Sequence, residues 1–365
     1  MTNISTKVHR LQKCMRKSNI DCIIVPLGIN FRWLFGIMEE PSERLLVSII
    51  NAESQKHPVE MVVPSFEADR MKKTTGISNI ISWEETQDPY NMLSELILAN
   101  TGKIIGIEPK MWYSVYHCIS KNLPEKIFIS AEQVFNSLRS IKDEEEQKIL
   151  LKASQRSGDA IVKTLNDLEA GISENEVQSI LRERLTWGTR EKVFSLVQFG
   201  ENSTMPHYHG GERKLKKDDV VLIDAGGTLR NYWGDITITS VFGKADDKFK
   251  EIYEIVFNAN EKGKEAVKQT KLPCEIDTTV RDHITKNGYG KYFTHRTGHG
   301  LGLEGHEHPY IVANNKTPLV SGNVFTIEPG IYLPGKFGIR IEDNIVKTID
   351  RYQTSNIPRH EILEI

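Results

Sequence analysis

Residues 220–242, VVLIDAGGTLRNYWGDITITSVF, constrain this chain more than any other stretch. Two apolar runs each carry one aspartate, Asp224 and Asp235, with Gly226, Gly227 and Asn231 between them. The pattern reads as a β-hairpin that sets a carboxylate among apolar side chains on each strand. Burying such a charge is costly unless something compensates it. On neighbouring strands the two acids would also repel each other. A cation between them removes both difficulties, so the hairpin reads as one wall of a metal site.

The later sequence supplies further walls. In TGHGLGLEGHEHP, Thr297–Pro309, His299 is flanked by Gly298 and Gly300, which let backbone and solvent approach its ring, and His306 follows seven residues on. VFTIEPG ends an apolar strand at Glu328, and GIRIEDN sets Glu342 between apolar neighbours. The candidate ligands are therefore Asp224, Asp235, His299, Glu328 and Glu342. Four carboxylates and one imidazole form a hard, oxygen-rich set that suits Mn²⁺, Co²⁺, Fe²⁺ or Zn²⁺ and argues against copper or a thiolate-bound metal. Four negative charges are too many for one dication and match two. Two metals about 3.5–4 Å apart can hold a hydroxide nucleophile between them. Seven of the eleven histidines fall between His207 and His308, which places the chemistry in the C-terminal half.

The remaining sequence sets the frame. A length of 365 residues suggests two ordinary domains or one large one, and 39% apolar with 26% charged residues is the balance of a soluble globular protein. A net charge of −2 gives no reason to expect nucleic acid or a membrane surface as partner, and no apolar run spans a bilayer. The N-terminal MTNISTKVHRLQKCMRK lacks the apolar core of a secretory signal and reads as a helix start. Cys14, Cys22, Cys118 and Cys274 have no CxxC spacing and read as reduced packing residues of a cytoplasmic protein.

Residues 1–130 alternate strand-like and helix-like segments, an α/β unit. Within it NFRWLFG, Asn30–Gly36, reads as a loop, with Phe31 and Trp33 either packing locally or helping to roof an active site. Beyond a linker, a long helix runs from Asp143 to Glu169, and Ser173 with Glu176 forms a capping box that opens a second helix to about Leu185. Strand-like Val193–Phe199 and the hairpin follow, then helices at Asp246–Gln269 and Ile276–Asn287, and Gly-rich strands to the end.

The order IDAGG, WGDITIT, TGHGLGLEGHEHP, TIEPGIYL, IRIEDN resembles the metallopeptidases of the methionine aminopeptidase and prolidase superfamily, the pita-bread fold. LRSIKDEEEQKILLKAS, Leu138–Ser154, resembles the segment that opens their catalytic domain, and the N-terminal half with NFRWLFG looks like the accessory domain of the proline-specific branch, Xaa-Pro dipeptidase (prolidase) and Xaa-Pro aminopeptidase. The resemblance implies an α+β chain: a smaller N-terminal α/β accessory domain, residues 1–130, and a catalytic domain of curved antiparallel sheet with covering helices, residues 131–365. It implies two divalent ions, Mn²⁺ or Co²⁺ before Zn²⁺ or Fe²⁺, and hydrolysis of the bond preceding proline by a metal-bridging hydroxide. Asp224 would bind one metal, His299 and Glu328 the other, and Asp235 and Glu342 would bridge them. Glu328 would also take the water proton. His207, in MPHYHGG, would contact substrate and move protons; His306 would contact the scissile carbonyl and stabilise the oxyanion; Arg340 would support the ligands from behind; Tyr332 would bind substrate. The substrate would be a small peptide with proline second, and the protein a homodimer, with Trp33 reaching toward the partner's site.

His209 and His308 read as cleft lining, His295 as structural, and Trp233 as core or site wall. Two departures stand out. Gly305 replaces the β-branched residue that often precedes the second histidine, and HEHPYIV lacks the arginine with which prolidases grip a dipeptide's carboxylate, leaving an aminopeptidase mode open. The creatinase-like branch, which hydrolyses C–N bonds without metal, and a non-catalytic binding module of the same fold are the alternatives. Five intact candidate ligands argue against both.

Overall fold

The computed structural model describes residues 4–100, 102–187, 191–355, 357 and 362–365. Contacts divide the chain into two compact units, Met1–Arg139 and Ser140–Ile365. The sequence-based boundary at 130 precedes this division by the helix Glu132–Arg139.

The first unit is built on a six-stranded mixed sheet, ordered Ile80–Trp83, Val59–Pro64, Val47–Asn51, Cys22–Pro26, Ile104–Ile107, Ile127–Ser130. Its central strands are short apolar runs, fully buried at Val47–Asn51 and Val59–Pro64, as expected of strands covered on both faces. Leu93, Ile97, Ile119 and Leu123 from two helices pack against Cys22, Ile24, Val47 and Ile105 of that sheet.

One expectation needs correction here. Residues Ile29–Phe35 form a helix, not a loop, ended by Gly36 in the left-handed conformation at φ 75. Phe31 and Phe35 lie one turn apart with ring centroids at 4.7 Å. Trp33 is only 5% exposed, faces Phe135 edge-on at 6.5 Å, and its carbonyl accepts from Lys7 Nζ at 2.6 Å. It is a core residue of the first unit, with no surface left to reach toward a partner.

The second unit contains two helix pairs, each packed on antiparallel sheet. Helix Glu144–Asn166 starts where Asp143 accepts from the Glu146 amide at 2.9 Å and Glu146 accepts from the Asp143 amide at 2.7 Å. Helix Glu174–Thr186 starts with the same reciprocal pair, Ser173 and Glu176. Such caps satisfy amides that a first turn leaves orphaned, at about 1 kcal/mol each. From these helices Ile161, Leu165, Val177, Leu181 and Leu185 pack against Val197, Val221, Ile223, Ile236 and Ile238 of the sheet Val193–Phe199, Asp219–Leu229, Ile236–Phe242. Helices Asp247–Gln269 and Pro273–Lys286 cover the second layer, a five-stranded sheet built around Gly298–Gly300, Val324–Ile327 and Asp343–Lys347. An isolated bridge between Thr237 and Glu342 ties the two sheets together. Among the described residues no helix is long and apolar enough to cross a membrane.

The hairpin is held by close backbone approach. A Cβ at Gly226 would fall on the carbonyl oxygen of Gly234 and 2.7 Å from Phe194 Cε1. Gly226→Ala should therefore push Asp224 and Asp235 apart and destabilise the protein by about 1–3 kcal/mol, read as a lowered midpoint in denaturant. An unchanged midpoint would show that the two strands can part freely.

Candidate metal centre

The second unit brings all five candidate ligands to the floor of one cavity of about 550 Å³. Asp224 sits mid-strand in Asp219–Leu229, opposite Thr237. Asp235 immediately precedes the strand Ile236–Phe242. His299 is the centre of Gly298–Gly300, Glu328 follows Val324–Ile327, and Glu342 lies between Phe337–Arg340 and Asp343–Lys347. Each acid therefore stands at a strand or its end, held by a ladder rather than by a loop.

The donor atoms converge. Ligand atoms of Asp224, Asp235 and Glu342 lie within 4.8 Å of one another, as do those of His299, Glu328 and Glu342, and those of Asp235, His299 and His306. His299 Nε2 is 3.3 Å from Glu328 Oε1 and 3.7 Å from Asp235 Oδ2. Its Nδ1 donates to the Gly300 carbonyl at 3.1 Å, which leaves Nε2 as the lone-pair nitrogen facing the acids. Glu342 accepts from Thr237 Oγ1 at 2.7 Å, and Glu328 accepts from Thr326 Oγ1 at 3.1 Å. Buried Asp224 Oδ1 and Asp235 Oδ1 have no hydrogen-bond partner among the described residues. Orphaned carboxylate oxygens aimed at a common point, beside a neutral imidazole, fit divalent cations.

A buried guanidinium offsets part of this charge from within the wall. Arg340, 2% exposed, donates to Asp224 Oδ2 at 2.6 Å, to Tyr332 Oη at 2.8 Å and to Thr237 Oγ1 at 3.1 Å. Tyr332 Oη also lies 2.8 Å from His295 Nε2, whose ring donates through Nδ1 to the Arg296 carbonyl at 2.8 Å. With Arg340 donating, the phenol passes its own proton toward His295. Tyr332 is 5% exposed, and its hydroxyl is spent on these two partners. His207 and His306 are exposed at the cavity, and the His306 ring lies 3.9 Å from that of His299. Phe194, Leu196, Pro206 and Trp233 form an apolar wall. At Gly305 a Cβ would meet nothing within 4 Å, so the cavity is open there.

His295, read from the sequence as structural, lines the cavity. Its position four residues before His299, in HRTGHG, was the available signal. Thr237 was not singled out, because its partners Glu342 and Arg340 lie far away in sequence. His209 and Trp233 line the cavity; His308 stacks on Tyr310 at 4.7 Å.

Burial governs the titration of the metal-free centre. It raises the Asp235 carboxyl well above its ordinary value, with Glu342, Asp224 and Glu328 adding repulsion, and it raises Glu342 likewise. It pushes Glu328 up to about 7 against the opposing pull of Arg340. The His299 and His295 imidazoles are lowered to about 3, first by burial and then by neighbouring positive charge from His306 and Arg340 respectively.

The comparisons with known proteins agree with this geometry. The model of "Metallopeptidase family M24" matches residues 148–348, and that of "Creatinase/Prolidase N-terminal domain" matches residues 7–141. The chain belongs to metallopeptidase family M24; it is a peptidase of the pita-bread fold, with an N-terminal domain ahead of the catalytic one. An uncharacterized peptidase of Staphylococcus haemolyticus is 31% identical over 350 residues, 95% of this chain and 98% of that protein. Among solved structures, the Xaa-Pro dipeptidase from Bacillus anthracis superposes with TM-score 0.90 at 29% identity, covering 100% of both chains. The recombinant prolidase from Thermococcus sibiricus gives 0.89 at 31% identity over 99% of each, and the X-Pro aminopeptidase from Thermotoga maritima 0.82 at 27%, over 97% of this chain and 100% of that one. The family implies divalent metal, as the donor set does.

The shifts fix a pH dependence for metal-free protein. Below 6.5, the ordinary histidine value, the lowered imidazoles and raised carboxyls oppose each other. Above it the imidazoles are neutral whether the chain is folded or not, while carboxyls raised in the folded state still hold protons there. Stability from those groups is lost as pH rises through their folded values. Chelated protein should thus melt at falling temperature as pH rises from 6.5 through about 7, the value to which Glu328 is raised, and added metal should flatten the trend. A melting temperature that rises across this window would contradict the assignment.

Proposed function

We propose that this chain is a dinuclear metal-dependent peptidase that cleaves the bond preceding proline, in Xaa-Pro dipeptides or at the N-terminus of Xaa-Pro peptides. The observation that carries the reading is the convergence of four acids, Asp235 and Glu342 buried and Asp224 and Glu328 half-buried, with one neutral imidazole on a single floor, two of the acids with orphaned oxygens. Asp224 would hold one cation, His299 and Glu328 the other, and Asp235 and Glu342 would be shared. Mn²⁺ or Co²⁺ fits this donor set first, with Zn²⁺ and Fe²⁺ compatible. When bound, the cations supply Lewis acidity, which activates water and polarises the scissile carbonyl.

The chain's own residues do the rest. Glu328, whose carboxyl is raised by burial, receives the proton of the attacking water. His306, exposed beside His299, donates to the carbonyl oxygen as negative charge grows there. His207 holds the substrate and hands a proton to the leaving nitrogen. Arg340 holds Asp224 in place, and Tyr332 passes that constraint on to His295. An Xaa-Pro bond offers no N–H for a peptidase to hold, and its ring fixes φ. The apolar wall of Phe194, Leu196, Pro206 and Trp233 suits such a ring in place of an amide clamp. Residence in the cytoplasm, with all four cysteines free, and assembly as a homodimer belong to the same reading.

Asp235→Asn and His299→Ala should each lower hydrolysis of Ala-Pro by about 10³-fold or more, and chelation should do so reversibly. Metal counts divide the roles: Asp235→Asn should lose both ions, Asp224→Asn mainly one. Full-rate cleavage of Xaa-Pro substrates by metal-free protein would overturn the mechanism, and turnover of Met-Ala-Ser instead of Ala-Pro would overturn the substrate.

A further inference from the structure

The His207 ring is exposed in the cavity, and among the described residues no hydrogen bond reaches it. Its place relative to the floor is therefore set through its backbone. That backbone forms a tight turn over residues 205–208. The Tyr208 amide donates to the Met205 carbonyl at 3.0 Å, with Pro206 in the second position and His207 in the third. The proline ring fixes φ near the value that the second position of such a turn requires. A turn closed by one bond on an exposed rim can still shift as a body.

One buried side chain grips it. Gln198 stands in the strand Val193–Phe199 and is fully buried. Its Nε2 donates to the Met205 carbonyl at 3.1 Å and to the Tyr208 carbonyl at 2.8 Å, the two ends of the turn. Carbonyl oxygens only accept, so the group facing them must be an NH₂, and a carboxylate of the same shape cannot replace it. The other end of the amide, Oε1, is buried without a hydrogen-bond partner among the described residues. An unpaired buried oxygen is costly. A leucine at this strand position would avoid that cost and give up both bonds to the turn.

The same strand is tied to the floor. In its ladder with Asp219–Leu229, Leu196 lies opposite Asp224 and Gln198 opposite Leu222. Side chains two residues apart share a face, so Gln198 projects to the same side as Leu196, which lines the cavity. One ladder thus holds both Asp224 and the amide that grips the turn. Before the turn, buried Glu174 accepts from the Phe199 amide at 2.7 Å and from Asn202 Nδ2 at 2.9 Å. After it, Gln178 donates to the His209 carbonyl at 2.9 Å. Those bonds anchor the stretches on either side. We infer that Gln198 is a positioning residue of the reaction: its carboxamide clamps both ends of the turn and so fixes His207 against the carboxylate floor. The inference rests on the reading of His207 given above.

The test compares wild type, Gln198→Met, Gln198→Glu, His207→Ala, the double variant Gln198→Met/His207→Ala and Thr204→Val on alanyl-proline, with bound metal counted in each. Methionine keeps the length of the side chain without donors, and glutamate keeps its shape with acceptors only. Gln198→Met should lower kcat/KM about 10- to 100-fold at wild-type metal content. Gln198→Glu should lose at least as much, and if it does not fold the methionine variant carries the comparison. In the His207→Ala background Gln198→Met should cost no more than about twofold, because the turn then holds nothing to position. Thr204→Val removes a hydroxyl that donates to the Glu201 carbonyl in the same loop, and it should keep the wild-type rate. A wild-type rate in Gln198→Met would overturn the inference. So would a loss that recurs in full in the His207→Ala background, or one matched by lost metal, since either marks a merely structural role. A wild-type rate in His207→Ala would overturn it together with the role of His207. Hydrogen exchange gives a readout that needs no turnover. The Tyr208 amide should exchange at least about 10-fold faster in Gln198→Met than in wild type, and unchanged exchange counts against the clamp. If wild type does not cleave alanyl-proline, the proposed reaction fails, and the exchange measurement still decides whether Gln198 holds the turn.

Discussion

The centre depends on one electrostatic problem: four carboxylates converge on one floor, with the buried Arg340 guanidinium behind them. Arg340 donates to Asp224 directly, while burial outweighs its pull on Asp235, Glu328 and Glu342. Without further cations those groups hold protons that a surface acid would release. The surrounding architecture keeps them from escaping by moving apart. They stand on ladders of two sheets, the sheets are bridged at Thr237 and Glu342, and helix pairs press on each layer. Rigidity here serves charge: a floppy site would let the acids relax outward and lose its affinity for metal.

The cavity divides by chemistry into regions with different tasks. The floor gathers hard oxygen donors. One wall is apolar, with Phe194 and Trp233 at 5.8 Å between ring centroids. The rim carries His207, His209, His306 and the exposed Arg182 and Arg296. Gly305 widens the rim where a larger side chain would close it.

Much of this was legible in the sequence, for a definite reason. A charged residue inside an apolar strand is anomalous in itself, so Asp224, Asp235 and Glu342 announce themselves without any partner being known. The capping boxes at Asp143 and Ser173 are equally local, and both helices start where they predict. What stayed hidden depends on remote partners. Thr237 gains meaning only from the bridge to Glu342. The helix Ile29–Phe35 was read as a loop because its two turns are too short to display a period, and the aromatic spacing within it fits packing as well as recognition.

The bridge between Thr237 and Glu342 has a consequence for biogenesis. The donors are spread along the chain from Asp224 to Glu342, and the last of them joins the others only across two separate sheets. During synthesis, the emerging hairpin carries only Asp224 and Asp235 of the candidate donors. Selective capture awaits translation of the final acid and docking of the second sheet. In the dinuclear reading proposed above, full coordination therefore requires tertiary assembly, because binding and folding share the same free energy.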